Sequence, residues 1–174
     1  SILSAITHLS KKYNYENNIK FILELVCTLY KSEFGFIFEI NKDNNLSSYN
    51  LTNNNLNEEI KQSLEQIILD EFLYSPINKI KYLSSEQEAI SLSYNLYDFM
   101  RKYHLYNILI IPIINNEKYI GYILCINNDK LEDSIYYEKL EEYSSNISYF
   151  IGEEIIKNSL KKELNLEKNY DSLT

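Results

Sequence analysis

Asn107-Ile108-Leu109-Ile110-Ile111-Pro112-Ile113-Ile114, then Asn115-Asn116-Glu117, then Lys118-Tyr119-Ile120-Gly121-Tyr122-Ile123-Leu124-Cys125-Ile126-Asn127 is the stretch on which the fold turns. Both runs are rich in β-favouring Ile and Tyr, and the polar spacer has the length of a hairpin loop. With Asn116 and Glu117 as the central loop residues, Pro112 is expected opposite Gly121, Ile110 opposite Ile123 and Ile108 opposite Cys125. Both faces of such a hairpin are apolar. Strands of this kind lie centrally in a sheet and must be covered on both sides, by helices on one face and by more helix or a ligand-holding cavity on the other.

Working outward, Phe34, Phe36, Phe38 and Ile40 alternate with Gly35, Ile37 and Glu39, the period of a strand with one very apolar face. The turn-forming run Asn41-Lys42-Asp43-Asn44-Asn45 lets Leu46 to Thr52 return as its hairpin partner. Helical spacing marks Ile2, Leu3, Ile6 and Leu9 in a first helix ending near Tyr13, and Ile19, Ile22, Leu23, Val26, Cys27 and Tyr30 in a second from about Tyr15 to Lys31. A third, from Leu56 or Glu58 to about Phe72, carries Ile60, Leu64, Ile67 and Ile68 and is closed by Pro76. Ile77, Ile80, Tyr82 and Leu83 fit a short strand, Ser84 to Glu88 a loop or helix start, and Leu96 to His104 a short helix. From Asp133 to about Asn169 the pattern is helical throughout. Its first half offers Ile135, Leu140, Tyr143, Ile147, Phe150, Ile151 and Ile155 to the sheet, whereas Ile156, Leu160, Leu164, Leu166, Tyr170 and Leu173 form a thin stripe among Lys and Glu. A stripe that overshoots its own domain reads as a seam for a partner helix.

Composition narrows the function classes. At 174 residues the chain holds one well-buried core plus an extension. A net charge of -8, from 17 basic against 25 acidic side chains, disfavours nucleic acid and anionic membrane as partners. The longest apolar run, Ile108 to Ile114, is far short of the roughly 20 residues that span a bilayer. Cys27 and Cys125 both fall inside apolar patterns, so no disulfide framework is expected and a cytoplasmic setting fits. With 17 Tyr but 3 Gly, 2 Pro and no Trp, the usage is that of an AT-rich coding sequence, and the Tyr count carries no functional message.

The element order and the motif Ile111-Pro112-Ile113-Ile114, followed nine residues from its proline by Gly121 within Tyr119-Ile120-Gly121-Tyr122-Ile123, resemble the GAF sensory domain. The resemblance implies an α+β fold of GAF/PAS type, a central antiparallel sheet flanked by helices with a long C-terminal signalling helix. Residues 1–155 would form the sensory domain and residues 156–174 the signalling helix. The closing Asp171-Ser172-Leu173-Thr174 resembles the Asp-x-Leu-Thr opening of a GGDEF diguanylate cyclase domain, which implies a covalently linked output domain making cyclic di-GMP from GTP. A kinase is the alternative output. The cyclase active site would lie beyond Thr174, so this chain is not itself expected to be an enzyme.

Two readings of the domain stay open. In one it holds a small flat or apolar ligand on the face carrying Phe36, Phe38, Ile110, Gly121 and Ile123, walled by the Tyr94 to Tyr103 segment with Tyr97; in the other its own side chains fill that space and the module only dimerises. Homodimerisation is expected through the N- and C-terminal helices, with Ile156, Leu160, Leu164 and Tyr170 at the seam. No catalytic or metal-binding spacing occurs, since His8 and His104 are the only histidines and stand far apart. His104 ahead of a strand matches the haem ligand of some GAF sensors, but a lone His at a helix end reads first as a cap or surface residue. Cys125 reads as apolar filling rather than a redox centre. The chain also departs from the methionine sulfoxide reductase branch, which needs several cysteines, and from the Asn-Lys-Phe-Asp-Glu set of cyclic-nucleotide-binding GAF domains.

Overall fold

The computed structural model describes the backbone of residues 14–129, 131 and 137–173, and side chains as far as residue 166. The expected helix over Ile2 to Leu9 lies outside the described residues, as do Ile135 and the side chains of Tyr170 and Leu173. In chain order the elements are α1 (Tyr15–Tyr30), β1 (Ser32–Ile40), β2 (Leu46–Asn50), α2 (Asn55–Ile67) running into a π-helical turn (Ile68–Phe72), β3 (Lys81–Leu83), α3 (Glu86–Leu92), α4 (Tyr94–Lys102), β4 (Ile108–Asn115), β5 (Lys118–Asn128) and α5 (Leu140–Leu173). The strands make one antiparallel sheet in the order β2-β1-β5-β4-β3, which places the Ile- and Tyr-rich hairpin centrally.

Side-chain caps set several helix starts. Asn14 accepts from the backbone N–H of Asn17 at the head of α1, and Asn54 from that of Asn57 at the head of α2. The expected third helix does reach Phe72, but its last turn widens so that the N–H of Leu73 bonds the carbonyl of Ile68, 3.1 Å away.

The hairpin register corrects the expectation. Asn116 and Glu117 take φ of 50° and 65°, the left-handed pair that suits a two-residue hairpin turn, and Asn115 pairs with Lys118 and Ile114 with Tyr119. A β-bulge at Ile120 then intervenes. Ile113 pairs with Gly121, Pro112 with Tyr122, Ile110 with Leu124 and Ile108 with Ile126, each one residue away from the expected partner. Because side chains alternate along a strand, the slip carries Gly121 and Ile123 to the face opposite Ile110.

Helices cover both faces. On one, α1 contributes Ile19, Ile22, Leu23, Val26 and Cys27, and α5 contributes Leu140, Ile147, Ile151 and Ile155, over Ile37, Leu109, Ile111, Ile113, Ile123 and Cys125. The two helices run antiparallel, since Asn18 meets Glu154 at one end and Tyr30 meets Ser144 at the other. α1 comes down closely on β1, where a Cβ on Gly35 would fall 2.2 Å from the Cys27 Sγ. The other face carries Phe36, Phe38, Ile110, Tyr122 and Leu124 beneath Ile60, Leu64, Ile68, Phe72, Leu96, Phe99 and Met100 from α2, the π turn and α4. Each such side chain fully withdrawn from water contributes about 1.5–3 kcal/mol.

Candidate functional site

Of the six residues expected to line a ligand site, Phe36, Phe38 and Ile110 share a face, and Tyr97 packs at its margin. Gly121 and Ile123 are on the other side. The space above the first three is occupied by the chain itself: the Phe36 and Phe38 rings stack with centroids 5.9 Å apart, and Phe72 and Tyr122 meet at 5.9 Å. The Tyr122 hydroxyl accepts from the Ile77 N–H at 3.0 Å and donates to the Phe72 carbonyl at 3.5 Å, so its polar end is satisfied within the layer. Burial holds this phenol above its ordinary pKa. Gly121 has a structural duty, because a Cβ there would stand 2.3 Å from the carbonyl oxygen of Phe38 on the neighbouring strand.

Tyr97 opens instead onto a cleft of about 420 Å³ between the start of α3 and the end of α4. Ala89, Tyr97, Met100 and Leu105 supply apolar surface there, while Ser84, Ser85, Glu86, Arg101, His104 and Tyr106 bring polar groups. Local sequence fixes both walls. Ser85 caps α3 by accepting from the Glu88 N–H at 3.2 Å, and Ser93 caps α4 while donating to the Glu71 carboxylate at 2.8 Å, which ties α4 to the π turn. At the far end of α4 the chain turns through His104, φ 55°, with its N–H on the Arg101 carbonyl and the Leu105 N–H on the Met100 carbonyl. That pair of bonds is a Schellman motif, and it sets His104 immediately beyond Arg101 at the cleft. Tyr106 donates to Asp129 at 2.9 Å; burial first, then that carboxylate, raise its pKa.

The charge arrangement was not evident from sequence patterning. Arg101 is the only arginine of the chain, and among the described residues the ion pairs are all made by lysines: Lys20 with Glu16, Lys42 with Glu163, Lys61 with Glu58 and Lys139 with Glu142. Its singularity was the available signal. No group of three or more His, Cys, Asp or Glu among the described residues could hold a metal ion. Cys27 and Cys125 are buried free thiols, and the Cys125 thiol is held well above its ordinary pKa by the neighbouring Cys27 and by burial, a setting that makes for inertness.

The second feature is α5 itself. Its 34 residues reach about 50 Å at about 1.5 Å per residue. Ile151 and Ile155 are buried, Ile156 is half-buried, and Leu160, Leu164 and Leu166 are 55%, 59% and 69% exposed. An ion pair of Lys42 with Glu163 joins the β1–β2 turn to this outer half. No helix among the described residues is long and apolar enough to cross a membrane.

No protein-family model matches the chain, and no curated protein sequence does. Solved structures do. The GAF domain of a protein described as a sensor histidine kinase from Pseudomonas syringae pv. tomato superposes with a TM-score of 0.61 at 13% identity, over 95% of this chain and 90% of that one. The chain has the GAF fold. The GAF domain/HD domain protein from Geobacter sulfurreducens gives a TM-score of 0.53 at 13% identity over 88% and 98% of the two chains. A phycoerythrobilin-bound GAF domain from a cyanobacterial phytochrome gives 0.55 at 10% identity over 90% and 96%. At such identities the likeness is one of GAF architecture, which hosts many functions.

Proposed function

We propose that this chain is the regulatory domain of a cytoplasmic signalling protein. It pairs with a second copy through α5 and the N-terminal segment and passes its state along α5 to a C-terminal diguanylate cyclase. The single observation that carries the reading is the division of α5 into a half that packs on the sheet and a half in which Leu160, Leu164 and Leu166 are exposed. The resemblance of Asp171-Ser172-Leu173-Thr174 to the opening of a GGDEF domain supports the choice of output. Such a cyclase forms its phosphodiester bonds when two active sites, each holding one GTP, face one another, so the phase of α5 sets the rate through proximity and orientation. The closely packed face over Phe36 and Phe38 supports a domain whose first task is to hold the dimer, with the cleft beside Tyr97 as the place where a small molecule acts on it. A kinase output is the second reading, favoured by the likeness to a histidine kinase GAF domain, and it uses the same helix.

The test is cyclic di-GMP production from GTP and Mg²⁺ by the parent protein with one or with seven residues inserted near Glu167. One residue rotates the output domain by about 100° and is expected to silence it, whereas seven restore the phase over about two turns and largely spare it. No product from the uninterrupted protein would remove the cyclase reading, and equal activity in all three would make α5 a passive tether.

A further inference from the structure

The cleft between α3 and α4 has the size, the single fork-shaped cation and the apolar walls that a small organic acid needs. Its volume, about 420 Å³, lies toward the small end of the range of about 300–1,000 Å³ typical of ligand pockets. Among the described residues Arg101 lies at the cleft without a carboxylate partner, in a chain whose other cations are lysines. The distinction matters because a guanidinium offers two parallel N–H donors that match both oxygens of a carboxylate, which an ammonium does not. The Schellman turn at His104 brings an imidazole to the same cleft, while Ser84 and Ser85, whose hydroxyls donate to Glu88, form part of its polar rim. Glu86, also lining the cleft, disfavours a second negative charge on the ligand. Ala89, Met100, Leu105 and the Tyr97 ring leave apolar surface for the rest of the molecule.

We propose that this cleft binds a small monocarboxylate with a flat or short apolar body, its carboxylate on Arg101 and its body against Tyr97, Met100 and Leu105. This inference rests on the reading of the domain as a sensor, but not on its pairing or on the identity of the output. A ligand at this point touches α3, the end of α4 and, through α4, the Ser93–Glu71 contact to the π turn.

Benzoate is the probe, monitored by amide chemical shifts of the isotopically labelled chain, with benzamide as the neutral isostere and phenyl phosphate as the dianion. Benzoate is expected to bind with a dissociation constant on the order of 1 mM, as befits so small a ligand, shifting amides over residues 84–106. Benzamide is expected to leave them unmoved, and phenyl phosphate to bind more weakly than benzoate. Arg101→Lys should weaken benzoate about tenfold and Arg101→Gln should abolish saturable binding, while Lys102→Gln on the next residue leaves it unchanged. Arg101 is exposed, so these variants keep the fold, which the rest of the spectrum reports directly. Absence of saturable shifts with benzoate, equal binding of benzamide, or indifference to Arg101→Gln each overturns the proposal. Tighter binding of phenyl phosphate overturns the choice of a monocarboxylate. Light scattering reads pairing through α5 separately, so a failed ligand and a failed dimer are told apart.

Discussion

Helix α5 between Leu140 and Ile155 and the same helix beyond Ile156 are written in the same few residue types, yet their surroundings differ completely. In the first half Ile147, Ile151 and Ile155 meet Ile111, Ile113 and Ile123 of the sheet, and Ser144 is small enough to lie buried against Tyr30. In the second, Leu160, Leu164 and Leu166 are more than half exposed. The thinner apolar stripe beyond Ile156 already marks this division in the sequence. What separates them is the edge of the sheet: the first half contributes to folding, and the proposed role of the second is association.

That comparison is broken or sharpened by substitution. Ile151→Ala in the packed half leaves a cavity under the sheet and is expected to cost about 2–5 kcal/mol, read as a lowered urea midpoint. A loss below about 1 kcal/mol would mean that α5 is poorly seated on the sheet. Next comes the α1–α5 contact at Tyr30, whose phenol is pushed up to about 12 from the ordinary 10, chiefly by burial. The unfolded chain ionises near 10 while the folded one resists, so this contribution is full below pH 10 and lost between about 10 and 12, on the order of 2–3 kcal/mol. Tyr30→Phe should flatten the alkaline fall of stability by one proton's worth of slope; an unchanged slope would place the hydroxyl in water. Smallest in stability is Leu160→Glu with Leu164→Glu, expected to alter the unfolding free energy of the single chain by no more than about 0.5 kcal/mol because both side chains are exposed.

The same contrast explains what the sequence could tell. The α1 apolar face, the two hairpins, the Pro76 stop and the presence of a long last helix were legible because each writes a period or a breaker into the chain, although that helix spans Leu140–Leu173, after a turn at Lys139, where the pattern suggests helix from Asp133 to about Asn169. The expected α1 range of Tyr15 to Lys31 against the observed Tyr15–Tyr30 is typical. The register of β4 on β5 was not legible. Alternation reports register only when one face is polar, and here both are apolar, so a bulge at Ile120 changes partners without changing the pattern. The candidate site inherited that error. Phe36, Phe38 and Ile110 do share a face, but Gly121 and Ile123 lie on the other one, and the first three are covered by Phe72, Tyr122 and Met100. Arg101 stands in no sequence pattern, because the residues that give it a setting, Ser84, Ser85 and Leu105, come together only when α3 folds against α4. Gly121→Val is therefore expected to lose stability outright, the new side chain colliding with the Phe38 carbonyl.

The central claim is that the outer half of α5 exists to meet another copy, and light scattering of the chain against its Leu160→Glu/Leu164→Glu variant tests it most directly. At about 100 μM, where a micromolar complex is largely assembled, the unmodified chain is expected to show the mass of two chains and the variant that of one, with equal helical content. An unmodified chain that stays at the mass of one, or a variant that keeps the mass of two, would contradict the account.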